Sequence, residues 1–196
     1  VRMDGADISQ WDREHLGRYI GYLPQDIELF AGTISENIAR FRKVDAQKVI
    51  EAAQKAGVHE MILRLQEGYD TPIGTSGTVL SGGQRQRIGL ARAIYDNPSF
   101  VVLDEPNSNL DEQGELALLK TVEELKKSGT TVVIITHRQN ILKATNKIVL
   151  MNSGRIEKYG ISDDILGNAA KQSQAAQAIQ RPAQIAPQQI NLSKPG

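Results

Sequence analysis

Apolar and polar positions along the chain follow two periods. Residues 18–23 (RYIGYL), 99–103 (SFVVL) and 130–136 (TTVVIIT) are short apolar runs of strand length. Pro24 closes the first, and the other two read as strands buried on both faces. Helical spacing fills the intervals. Residues 33–40 (TISENIAR) read as a helix start with Thr33 or Ser35 as cap. Residues 45–56 form a helix opened by Asp45 and stopped by Gly57, and 58–66 a further one. A glycine-rich loop over 74–83 leads into a helix over 82–95 with Ser81 as its cap. Glu112–Lys127 is amphipathic, with Leu116, Leu119, Val122 and Leu125 on one stripe. Residues 146–151 and 155–159 read as a hairpin around Asn152, Ser153 and Gly154. Strands that alternate with helices at these spacings predict an α/β fold with a largely parallel sheet.

The organisation follows from the same pattern. One domain spans 1–167, with a small helical subdomain over about 33–95. From residue 168 the composition turns to alanine, glutamine and proline without an apolar period, which predicts a disordered tail over 168–196. The chain opens on Val1 in what reads as a strand and turn, so we expect a piece of a longer polypeptide.

Composition narrows the function classes. Lysine plus arginine and aspartate plus glutamate are both 23 of 196 residues, so no net charge draws the chain to nucleic acid. Cysteine is absent, which excludes disulfides and thiolate metal sites and fits a reducing compartment. No apolar run approaches the roughly 20 residues that span a bilayer.

Four places carry candidate chemistry. Leu80, Ser81, Gly82, Gly83 and Gln84 (LSGGQ) head a helix, followed by Arg85, Gln86 and Arg87. A helix N-terminus offers unpaired N–H groups and the positive end of a dipole, and two glycines let a phosphate approach the backbone. Asp104 and Glu105 leave the apolar run 100–103 at its C-terminal end, where parallel sheets bind ligands. Asp104 can hold Mg²⁺, and Glu105 can polarise an attacking water. His137 follows the third strand directly and can hydrogen-bond a terminal phosphate from the same edge. Gln25 follows the first strand, with an amide able to reach Mg²⁺ or the water.

In this order and spacing the four elements resemble the ABC ATPase superfamily over nearly all of 1–167. The resemblance implies a P-loop NTPase-like core. It matches Gln25 to the Q-loop glutamine, residues 80–84 to the signature, and Asp104 to the Walker B aspartate. Glu105 matches the catalytic glutamate, Ser108 through Asp111 the D-loop, and His137 the switch histidine. It implies ATP and Mg²⁺, and a dimer of two ATPase subunits arranged head to tail. Ser81, Gly82, Gly83 and Gln84 would then serve ATP held by the partner. Gln25, Asp104, Glu105 and His137 would serve ATP on their own subunit, and Asp111 would lie at the shared nucleotide.

Residues 30–38 (FAGTISENI) are similar to exporters that fuse a membrane domain to the ATPase, and 105–111 (EPNSNLD) look like type I protein secretion exporters. That subtype implies a transmembrane domain, its own or a partner's, at the cytoplasmic face of a bacterial inner membrane. It also implies an unfolded protein cargo, a periplasmic adaptor and an outer-membrane channel, with no nucleic acid. Thr75 and Ser76, between Gly74 and Gly77, depart from drug and lipid exporters, which usually place glutamate and arginine there. A drug or lipid exporter and a non-transport ABC ATPase are the competing classes. No G-x-x-x-x-G-K-[ST] phosphate loop occurs in the 196 residues, so we expect them to be inactive alone.

Overall fold

The computed structural model describes residues 2–3, 5–74 and 80–167. The middle of the glycine-rich loop and the alanine-rich tail lie outside the described residues. Two compact units divide at Ala144 and Thr145.

The first unit opens with a small antiparallel pair, β1 (Arg2–Met3) and β2 (Ala6–Asp7), followed by α1 (Arg13–Tyr19). β3 (Ile20–Leu23) starts two residues later than the sequence suggests, because α1 takes Arg18 and Tyr19. A short strand pair, β4 (Gly32–Thr33) and β5 (Pro72–Ile73), brackets the helices α2 (Ile34–Ile38), α3 (Ala46–Lys55) and α4 (His59–Leu63). Then come α5 (Gly82–Ile94), β6 (Phe100–Asp104), α6 (Glu112–Lys127), β7 (Thr131–Ile135) and α7 (Gln139–Leu142).

Local chemistry sets several of these ends. Thr33 accepts from the Glu36 N–H while the Glu36 carboxylate accepts from the Thr33 N–H, a reciprocal cap that starts α2. Asp45 caps α3. α4 stops at Leu63, shorter than the apolar pattern suggests, and Leu63 itself is exposed.

β3, β6 and β7 form one sheet in that order, and both pairings are parallel. The α/β fold with a parallel sheet and flanking helices is therefore present. Val101 and Leu103 of β6 are fully buried, and the core also takes Leu23, Ile34, Ile38, Ile62, Ile88 and Leu118. α5 packs on β3, and Gly21 permits it: a Cβ there would lie 2.0 Å from the Ala93 carbonyl oxygen. Arg40 ties the same junction, donating to the carbonyls of Gly17, Ile20, Arg92 and Ala93 at 2.7 to 3.0 Å. Burial pulls its guanidinium down to about 10, still charged at neutral pH.

Two readings of the pattern need correction. β7 is not buried on both faces: Val132 and Ile134 pack on the core, but Val133 and Ile135 are exposed. Among the described strands β7 has β6 as its sole neighbour, and α6 covers one face. In α6 the buried stripe is Leu118, Thr121, Val122 and Leu125, while Leu116 faces out.

The second unit is built on an antiparallel hairpin, β8 (Lys147–Asn152) and β9 (Arg155–Ile161). Ser153 and Gly154 both take positive φ in the turn, as a two-residue hairpin of matching twist requires. No helix among the described residues is long and apolar enough to cross a membrane.

Candidate functional site

The register of the sheet decides which residues share its C-terminal edge. Leu23 pairs with Leu103, and Asp104 pairs with Ile135. Gln25, Asp104, Glu105 and His137 therefore all leave the sheet at one end. Gln25 is exposed two residues beyond β3. Asp104 is half-buried, and its carboxylate has no hydrogen-bond partner among the described residues.

Glu105 is fixed more tightly. Its N–H donates to the Ile135 carbonyl at 2.8 Å, continuing the ladder, while its φ of 44° turns the chain into the left-handed region. A non-glycine residue held there needs surrounding contacts to keep it. One is His137, whose Nδ1 lies 2.9 Å from Glu105 Oε1. An ionised carboxylate only accepts, so the imidazole N–H donates. Glu105 Oε2 is buried without a partner, which leaves one lone-pair oxygen free for a water or a proton.

The loop after Glu105 is anchored by amides. Asn107 is fully buried and accepts from the Thr136 hydroxyl at 3.2 Å, and that hydroxyl accepts from the Arg138 N–H at 3.1 Å. Thus Asn107 ties the loop carrying Glu105 to the residue preceding His137. Asp111 caps α6, accepting from the Gly114 N–H at 2.8 Å. One of its carboxylate oxygens is occupied within its own helix.

The second half of the site is the start of α5. Ser81 accepts from the Gln84 N–H, and Gln84 Oε1 accepts from the Ser81 N–H at 2.8 Å. The Ser81 hydroxyl proton and the Gln84 NH₂ remain for an external acceptor. Gly82 and Gly83 are half-buried against Asn109. The structure thus brings Asp104, Glu105 and His137 to one edge with Gln25 beyond it, and sets residues 81–84 on the loop that follows Glu105.

The donors fit a hard cation. Asp104 and Gln25 offer oxygens, and no cluster of three or more acidic, histidine or cysteine ligands exists among the described residues. Mg²⁺ suits such a sparse set, because it is usually held by one or two carboxylates plus substrate phosphates.

Sequence reasoning missed Gln86, Arg40 and the Asn107–Thr136 pair. A glutamine on the buried face of α5 was the one available signal, since Gln86 lies among Ile88, Leu90 and Ala91.

A parallel sheet whose middle strand leads into two carboxylates, beside a glycine-headed helix, defines a class: α/β domains with the layout of a phosphate and cation site at the sheet edge. The model of the ABC transporter family matches residues 1–108, and the chain belongs to that family. It is 47% identical over 175 residues to the type I secretion system ATP-binding protein PrsD of Rhizobium meliloti (strain 1021), covering 89% of this chain and 30% of that protein. It is 41% identical over 170 residues to multidrug resistance protein 1 of Entamoeba histolytica, covering 85% of this chain and 13% of the relative. A solved structure described as a bacterial Atm1-family ABC exporter with ATP bound superposes with a TM-score of 0.77 at 34% identity, covering 89% of this chain and 31% of that one. The chain spans less than a third of the length of each of these relatives.

Proposed function

We propose that this chain is the hydrolytic and partner-facing part of an ATP-driven exporter. ATP bound to its own subunit meets the sheet edge, and ATP bound to a second copy meets the head of α5. Glu105 orients a water toward the terminal phosphorus and takes its proton on the unpaired oxygen. The P–O bond to ADP breaks, and phosphate leaves. His137 holds the other Glu105 oxygen. Asp104 and Gln25 would hold Mg²⁺, which when bound neutralises charge on the phosphate oxygens. On the partner's nucleotide, the Ser81 hydroxyl, the backbone N–H groups of Gly82 and Gly83 and the Gln84 amide serve as donors.

The observation that carries this reading is the Glu105–His137 pair beside the unpartnered Asp104. Its test is Glu105→Gln in the intact protein. Turnover should fall about 100-fold or more with ATP binding kept, trapping an ATP-bound dimer. Undiminished hydrolysis would sink the assignment.

The cargo reading is type I protein secretion from the cytoplasmic face of a bacterial inner membrane. Residues 105–111 (EPNSNLD) and the likeness to a secretion ATP-binding protein support it. It would bring a transmembrane domain, an unfolded protein substrate, a periplasmic adaptor and an outer-membrane channel as partners. The likeness to a multidrug resistance protein keeps drug export as the second reading.

A further inference from the structure

The head of α5 has a second set of contacts, all within its own chain. A Cβ on Gly83 would lie 2.8 Å from the Asn109 carbonyl oxygen, and one on Gly82 would lie 3.3 Å from Asn109 Oδ1. Both glycines therefore let α5 sit directly on the loop after Glu105. One turn further in, Gln86 is 1% exposed. Its Nε2 donates to the Glu105 carbonyl at 3.5 Å, and its Oε1 accepts from Asn109 Nδ2 at 3.4 Å. A buried carboxamide must find partners for both ends, and these two are on the loop that carries the carboxylate.

We propose that Gln86 is a positioning residue for Glu105 of its own chain. The helix whose first turn faces a neighbour's nucleotide also sets, through Gln86 and the Gly83–Asn109 contact, the backbone from which this chain's general base projects. This rests on the functional reading above and adds to it. The left-handed Glu105 backbone gives the contact its leverage, since a strained residue persists only while its surroundings hold it.

The test is steady-state kinetics and ATP-driven dimerisation of the intact protein, with Gln86→Met as a variant of similar shape without the amide. Turnover should fall about 10- to 100-fold, the cost of a slightly misplaced catalytic group, with KM for ATP and dimerisation unchanged. Ser81→Ala should do the opposite, raising KM and weakening dimerisation. Asn109 is exposed, so Asn109→Ala removes the same bridge from the solvent side without opening the core. It should show the same loss in turnover alone, and the double variant should lose little more than either single one. Unchanged turnover in Asn109→Ala, multiplicative losses in the double variant, or weakened dimerisation in Gln86→Met would each overturn the proposal. Glu105→Gln measured alongside separates the two claims, because full turnover there overturns the site itself rather than the role of Gln86.

Discussion

The Nδ1 atom of His137 lies 2.9 Å from Oε1 of Glu105, joining an imidazole that is 79% exposed to a carboxylate that is 17% exposed. The pair exists because β6 and β7 are parallel neighbours in register, so the second residue beyond β7 reaches the first beyond β6. The exposed ring is free to meet a phosphate on one side while its N–H steadies the carboxylate on the other. In the intact protein, truncating it by His137→Ala should lower ATP turnover about 100-fold, the usual cost of one positioned donor at a charge-developing site, with ATP-driven dimerisation intact. Phosphate-release assays check this, and unchanged turnover would contradict it.

Asp104 is free to take a cation, with Gln25 at the same edge. In the intact protein, chelation with EDTA should bring hydrolysis to background, and added Mg²⁺ should restore it. Asp104→Asn keeps the shape and removes the charge. It should raise the Mg²⁺ concentration for half-maximal turnover by about tenfold or more. A Mg²⁺ titration that superposes on the wild type would remove Asp104 from the metal site.

Arg40 is the main cross-tie of the fold. Its guanidinium satisfies carbonyls at the ends of α1 and α5 and is partly withdrawn from water. Arg40→Ala should cost about 3 kcal/mol, because it leaves several carbonyls without a donor. Arg40→Lys should recover part of that, since an ammonium cannot reproduce the fork. Urea unfolding monitored at Trp11 measures both, and an Arg40→Ala midpoint equal to the wild type would rule the cross-tie out.

How legible these features were in the sequence depended on how local their physics is. The caps at Thr33, Asp45, Ser81 and Asp111 need only residues three positions on, so the helices they open could be placed within a residue or two. The hairpin turn at Ser153 and Gly154 is local in the same way. Within the run 130–136 the residues from Val132 to Ile135 are all apolar, and no spacing among them tells that Val133 and Ile135 stay uncovered. The carboxylates and His137 stood out because they close apolar runs. Gln86 and Arg40 did not, because their partners arrive from distant parts of the chain. Asn107 was read only as part of a short motif, and its burial against Thr136 is a property of the sheet.

In the proposed division of labour, Glu105 acts on ATP of its own subunit and Ser81 on ATP of its partner. A mixed dimer of the intact protein tests it directly. One copy carries Ser81→Ala and the other Glu105→Gln, each under a different affinity tag so that only heterodimers are assayed. Assayed at ATP below saturation, each homodimer should be strongly impaired, Glu105→Gln through turnover and Ser81→Ala through weak ATP binding and dimerisation. The mixed dimer should regain one working site, in which Glu105 of the first copy meets Ser81 of the second, and hydrolyse ATP well above both homodimers. Turnover no higher than that of the homodimers would contradict the account, because it would place Ser81 and Glu105 of one chain on the same nucleotide.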